Sequence, residues 1–193
     1  MKKIGITGGI GSGKTFVCKL IEKMSYPVFY SDLEAKKAME FNPELKHSII
    51  ELVGIKAYEN EMLNKSFIAN AIFSNKTLRM ELNALVHPYV FETFENWCIN
   101  QKSDIVFNES ALLIETGSYM RFDGTILIYA SNKLKIQRIQ ERDHLSKKEV
   151  QLRIQSQLSD KDKLDKVTYT IENNEKKLLI PQLNAIIEQI KMI

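Results

Sequence analysis

The sequence predicts an α/β fold with a largely parallel sheet, and three observations carry that expectation. Short apolar runs alternate with longer stretches of helical period, a glycine-rich turn follows the first run, and one run is apolar at consecutive positions, as a strand covered on both faces is. The runs are residues 3–7, 28–30, 105–107, 125–130 and 167–171. Composition agrees: 193 residues, 44% hydrophobic and 26% charged, describe a globular chain long enough for one sizeable core.

The first run passes into Gly8-Gly9-Ile10-Gly11-Ser12-Gly13-Lys14-Thr15, and a helical pattern follows from Phe16 to Met24. Five of the eight glycines fall within the first thirteen residues. This is the phosphate-loop pattern in its required setting, strand before and helix after. Glycines let backbone N–H groups turn toward phosphate oxygens, and the helix N-terminus adds positive partial charge. Lys14 is then expected to pair with the β- and γ-phosphates of a nucleoside triphosphate, and Thr15 to hold Mg²⁺. The bland alternative is a glycine-rich turn with a surface lysine. A dinucleotide site fits less well, because the stretch ends in Gly-Lys-Thr.

The second run ends at Tyr30, followed by Ser31 and Asp32. Ligands sit beyond the carboxyl ends of strands in open α/β sheets, so Asp32 is a candidate to accept or orient the proton of an acceptor hydroxyl. It is equally a first-turn acid in a helix capped by Ser31, with Glu34 three residues on. About 70 residues then precede the third run, far more than a crossover helix needs, and mark an inserted helical region. Helix starts are expected at Asn42-Pro43, at Ser66 and before Leu78. Leu82, Leu85, Val86, Tyr89, Val90 and Phe94 recur at helical steps, and Pro88 implies two helices meeting near His87.

The third run leads to Glu109, which can approach a metal through water or be loop surface. After the fourth run, Ser131 can cap a helix carrying Arg138 and Arg142 on one face. Those arginines are either a lid over a transferring phosphoryl group or a solvated face answered by Glu141, Asp143 and Glu149. Residues 143–147 read as a short polar link, and Ser146 with Glu149 forms a capping-box pattern. A final helix places Leu183, Ile186, Ile187 and Ile190 on one face, with Pro181 in its first turn.

A net charge of +3 does not suggest a nonspecific nucleic-acid or membrane binder. No apolar run reaches membrane-spanning length, and a glycine loop stands where a signal peptide would be apolar, so a cytoplasmic location is expected. Cys18 and Cys98 read as buried small hydrophobes. His47, His87 and His144 share no metal-ligand spacing. A triphosphate site leaves transfer to a small acceptor, a hydrolytic switch, or binding alone. The switch loses ground because Asn132-Lys133-Leu134-Lys135 lacks the carboxylate of a guanine reader.

The chain resembles the dephospho-CoA kinase family. Ile6-Thr7-Gly8-Gly9-Ile10-Gly11-Ser12-Gly13-Lys14 is similar to the family's Thr-Gly-Gly-Ile-Gly-Ser-Gly-Lys signature, and Ser31-Asp32 with Ala35 to its Asp-Ala-Asp segment. Leu82 to Pro88 resembles the Leu-hydrophobic-His-Pro block, Ala111 to Glu115 the Pro-Leu-Leu-Phe-Glu block, and Arg138 to Asp143 the Arg-x-x-x-Arg-Asp block. Arg153-Ile154-Gln155-Ser156-Gln157 and Ile171-Glu172-Asn173-Asn174 match two later blocks. Three positions depart from the pattern: Ala111 replaces a proline, Thr15-Phe16 stands for Ser-Thr, and the segment 166–170 lacks an Ala-Asp pair.

The resemblance implies a P-loop kinase fold: one kinase domain over 1–193, a five-stranded parallel sheet flanked by helices, a helical CoA region around 58–101 and a lid near 138–150. It implies that Gly8, Gly9, Ile10, Gly11, Ser12, Gly13, Lys14, Thr15, Phe16 and Asn174 bind ATP, with Mg²⁺ at Thr15. Asp32, His87 and Leu112 would meet dephospho-CoA, and Asp32, Lys14, Arg138 and Arg142 would be catalytic. The expected partners are ATP and dephospho-CoA, with no nucleic acid or membrane, for a monomer or weak homo-oligomer. Another P-loop nucleoside or nucleotide kinase is the alternative, and a non-catalytic nucleotide-binding regulator a third.

Overall fold

A computed structural model of the chain describes residues 1–73 and 75–192. Its elements begin with β1 (Lys2–Thr7), α1 (Lys14–Lys23) and β2 (Val28–Tyr30). Next come α2 (Ser31–Phe41), α3 (Pro43–Val53), β3 (Tyr58–Glu59), β4 (Met62–Leu63), α4 (Lys65–Phe73) and α5 (Lys76–Ile99). The chain continues through β5 (Ile105–Glu109), β6 (Gly124–Tyr129), α6 (Asn132–Asp143), α7 (Lys147–Gln155), α8 (Asp160–Leu164), β7 (Tyr169–Glu172) and α9 (Leu179–Met192). These elements form two compact units, Met1–Tyr30 with Gln101–Ile193, and Ser31–Asn100.

In the first unit five strands lie in the order β2-β5-β1-β6-β7, each pair parallel, with Ile4 beside Phe107 on one side and Gly124 on the other. All five apolar runs became strands. Ile4, Ile6, Phe107, Ile126, Ile128 and Ile171 pack with Val17, Cys18 and Ile21 of α1 and with Leu183, Ile186, Ile187 and Ile190 of α9. Side chains alternate across a strand, so Gly5 faces the opposite layer. A Cβ there would lie 2.9 Å from both Leu113 Cδ1 and Thr125 Cγ2, and its absence lets the turn after β5 close onto the sheet.

Local signals set the helix ends. The Ser131 hydroxyl accepts the Leu134 N–H, and Ser146 and Glu149 form the reciprocal capping box. The polar link shortens to 144–146, where His144 adopts a left-handed conformation with φ 54°. Pro181 falls in the first turn of α9 as expected. Helix α8, five residues capped by Ser159, was not legible in the sequence.

The second unit is helical, with α2, α3 and α4 each packed on α5. Asn42 caps α3, accepting the Leu45 N–H at 2.9 Å, with Pro43 at its first position. Helix α4 starts earlier than expected, because Asn64 rather than Ser66 accepts the Phe67 N–H at 3.0 Å. Residues 58–63 form a hairpin whose central Asn60 and Glu61 both have positive φ, the twist-matched two-residue turn. Behind it the Tyr58 hydroxyl donates to the Met39 carbonyl at 2.6 Å, and burial pushes its pKa up to about 12.

The two helices expected to meet near His87 are one continuous 24-residue helix, α5, with Pro88 inside it. A proline in a helix interior forfeits a hydrogen bond and costs about 3 kcal/mol. Leu82, Val86, Val90, Phe94 and Cys98 compensate by forming a buried stripe at four-residue steps along the whole helix. Pro88 is exposed, on the side away from that stripe. No described helix is long and apolar enough to cross a membrane.

Candidate active site

The phosphate loop links β1 to α1 through residues 8–13. The Ser12 N–H donates to the Gly9 carbonyl at 3.1 Å, which closes the turn. Gly13 sits at φ 92°, and a Cβ there would overlap the Asn173 amide nitrogen. Asn173 Nδ2 instead donates to the Ser12 carbonyl at 2.9 Å, while its own backbone N–H donates to Tyr129 O. Glycine at position 13 is therefore required twice, by conformation and by space.

Lys14 opens α1 and folds back over the loop, donating to the Gly8 carbonyl at 2.9 Å. Its ammonium lies 3.8 Å from Glu109 Oε1, and both side chains are nearly buried. Glu109 ends β5 and is paired in register with Ile6 of β1, so the acid and the loop base share the carboxyl end of the sheet. One turn further along α1, burial and then the charge of Glu109 push the Cys18 thiol well above its ordinary pKa. Burial also raises the Tyr30 phenol, with Cys18 and Glu22 adding to the effect. Both groups stay neutral near neutral pH, so neither is a nucleophile there.

Arg138 is brought to the loop. It donates from Nη1 to the Gly11 carbonyl at 3.4 Å, from Nη2 to the Asn173 carbonyl at 3.1 Å, and pairs with Glu175 at 2.9 Å. Arg142, one turn on, is exposed and grips its neighbour Asp143 through two bonds of 2.7 and 2.9 Å. That hydrogen bonding raises the Arg142 pKa and lowers that of Asp143, which also receives Arg153 at 3.3 Å.

Asn174 bonds within its own turn. Its amide nitrogen donates to Glu172, and its oxygen accepts the N–H groups of Lys176 and Lys177. Thr15 and Phe16 are both exposed on the first turn of α1. Leu112 lies in the turn after β5, where its carbonyl accepts the Thr116 N–H and hydroxyl. In the helical unit, Asp32 is the exposed second residue of α2, and His87 lies half-buried on α5. Burial lowers the His87 pKa, and the charge of Asp32 acts against that shift.

Several residues at the loop were not singled out from the sequence. Asn173 adjoins Asn174, the asparagine for which the resemblance implies a role. Gln157 accepts the Ile10 N–H at 2.8 Å, and Lys135 pairs with Asp160. Lys163, wholly buried, pairs with Glu115 at 2.7 Å. For Gln157 the only sequence signal is the block 153–157. The two ion pairs join distant segments, which no local pattern reveals.

For a divalent metal, the chain offers the exposed Thr15 hydroxyl beside the loop, and no group of three or more His, Cys, Asp or Glu that could hold an ion occurs among the described residues. This donor set fits Mg²⁺ carried largely by phosphate oxygens and water.

A family model described as dephospho-CoA kinase matches residues 2–178. The curated dephospho-CoA kinase of Bacteroides fragilis is 39% identical over 186 residues, 96% of this chain and 91% of its own. Among solved structures, a crystal structure from Thermus thermophilus aligns with a TM-score of 0.86 at 30% identity, covering 97% of both chains. A dephospho-CoA kinase from Campylobacter jejuni shares the fold, with a TM-score of 0.65 at 23% identity over 98% of this chain and 95% of that one. With the family model running from the first strand to the start of the last helix, and a relative this similar along nearly the whole length, the chain belongs to the dephospho-CoA kinase family.

Proposed function

We propose that this chain transfers the γ-phosphoryl group of ATP to the ribose 3′-hydroxyl of dephospho-CoA, the last step in making coenzyme A. Family membership carries this reading, because a parallel sheet with a phosphate loop is compatible with many acceptors and does not choose among them. The geometry supports the donor half. Gly8, Gly9, Ile10, Gly11, Ser12 and Gly13 form a loop suited to phosphate oxygens, and Lys14, which donates to the Gly8 carbonyl beside Glu109, would exchange contacts for the β- and γ-phosphates.

Asp32 takes the proton of the 3′-hydroxyl as the oxygen bonds to phosphorus and the bond to the ADP oxygen breaks. Mg²⁺, held by Thr15 together with phosphate oxygens and water, would neutralise charge on the phosphates. Arg138, which donates to the Gly11 and Asn173 carbonyls, braces the nucleotide, and Phe16 and Asn174 would meet it as well. Arg142 reaches the transferring group when residues 138–150 close and its hold on Asp143 is exchanged for phosphate. His87, Leu112 and the helical region around 58–101 serve the acceptor.

A coupled assay of ADP release tests the reading. Turnover with dephospho-CoA should far exceed turnover with ATP alone. ATP use no faster with dephospho-CoA, together with acceptance of nucleosides or nucleoside monophosphates, would replace this acceptor with another.

A further inference from the structure

The phosphate loop is clamped on its glycine-rich side by a segment that the proposed reaction leaves without a role. Gln157 Oε1 accepts the Ile10 N–H at 2.8 Å. Three residues on, Asp160 pairs with Lys135, which is only 4% exposed. The pair lies directly against the loop: a Cβ on Gly9 would sit 3.3 Å from Lys135 Nζ and 3.4 Å from Asp160 Oδ1. Segment 157–163 is itself anchored, since Glu115 accepts the Leu158 N–H at 3.1 Å and pairs with the buried Lys163.

From this geometry we infer that Gln157 and the Lys135–Asp160 pair are positioning residues, holding the loop in the shape that receives a triphosphate. The inference rests on the reading of residues 8–15 as the ATP site. Ile10 lies between Gly9 and Gly11, where the backbone has most freedom to lose, so an outside acceptor for its N–H fixes the middle of the loop before ligand arrives. Packing alone does not account for the arrangement. Buried ion pairs are often no more stable than apolar replacements, and here Asp160 Oδ1 and Glu115 Oε2 are buried without a hydrogen-bond partner. Charge gives the pair a second use: Lys135 neutralises a carboxylate that would otherwise face an incoming polyphosphate.

The test uses the full chain and a non-hydrolysable ATP analogue. Gln157→Met keeps the bulk and removes the acceptor, so it should raise the analogue's Kd about three- to tenfold, the worth of one hydrogen bond. Adenosine affinity and the KM for dephospho-CoA should stay as in the wild type. Lys135→Met, which leaves Asp160 uncompensated beside Gly9, should weaken the analogue further while sparing adenosine. Unchanged analogue affinity in Gln157→Met, or equal losses for analogue and adenosine in both variants, would overturn the inference. These titrations decide the matter even if the wild-type chain fails to phosphorylate dephospho-CoA, a failure that removes only the acceptor assignment.

Discussion

Asn173 Nδ2 donates to the Ser12 carbonyl at 2.9 Å, and that same amide fills the space a side chain on Gly13 would need. The residue just past β7 thereby fixes the peptide at the end of the phosphate loop. Its own N–H donates to Tyr129 at the end of β6, so the loop takes its position from two strands other than the one that precedes it.

Removing Asn173 and filling Gly13 should therefore be non-additive. Asn173→Ala leaves the Ser12 carbonyl without this partner and should cost about 1–3 kcal/mol. Gly13→Ala meets both the left-handed backbone at φ 92° and the amide, and should cost more. In the double variant the overlap disappears, leaving the backbone strain and the lost Ser12 bond, so its loss should be smaller than the sum. Urea unfolding of the four proteins measures this, and strict additivity would refute the shared-space account.

Arg138 and Arg142 should separate kinetically. Arg138 already spans Gly11, Asn173 and Glu175, whereas Arg142 is engaged with Asp143. A lysine ammonium does not reproduce the guanidinium fork. Arg138→Lys should raise the Kd of an ATP analogue by about three- to tenfold. Arg142→Lys should leave that Kd near wild type and lower kcat. Indistinguishable effects on nucleotide affinity would assign both arginines the same job.

Much of this was legible because it is local. The glycine pattern, the strand before it and the caps at Asn42, Ser131 and Ser146 each depend on residues a few positions apart, and each formed as expected. The continuous α5 was not legible, because the proline signal at 88 is local while the stripe from Leu82 to Cys98 that overrides it gains its energy from α2, α3 and α4. Asn173 escaped notice for a related reason. Asn173 and Asn174 are the same residue type in adjacent positions, and only the register of β7 sends one to the loop and the other to Glu172.

His87 gives the helical unit a pH signature. Burial holds its native pKa below the ordinary 6.5, with the charge of Asp32 opposing that shift. As pH falls below about 6.5 the unfolded chain takes up a proton that the native state resists, so stability is lost until the native pKa is passed. Above that range His87 contributes no slope. His87→Gln should flatten the fall in urea midpoint between about pH 7 and 5.5. Removing the opposing charge with Asp32→Asn should lower the native His87 pKa further, as read by NMR titration. An unchanged histidine pKa in that variant would show that the two groups do not interact.

Asp32 itself has two physical roles available, and one substitution separates them. As the second residue of α2 its carboxylate complements the helix dipole, a surface effect of about 0.3–1 kcal/mol. As the acceptor of the 3′-hydroxyl proton it must be anionic, and an amide of the same shape can orient the hydroxyl without taking the proton. Asp32→Asn should therefore reduce kcat by about 10² or more, with ATP-analogue affinity unchanged and little loss of stability. Near-normal turnover with a slightly lower melting temperature would return Asp32 to the helix terminus. A large fall in kcat in a fully folded protein would be more than dipole loss can supply, because a factor of 10² corresponds to about 2.7 kcal/mol in the barrier.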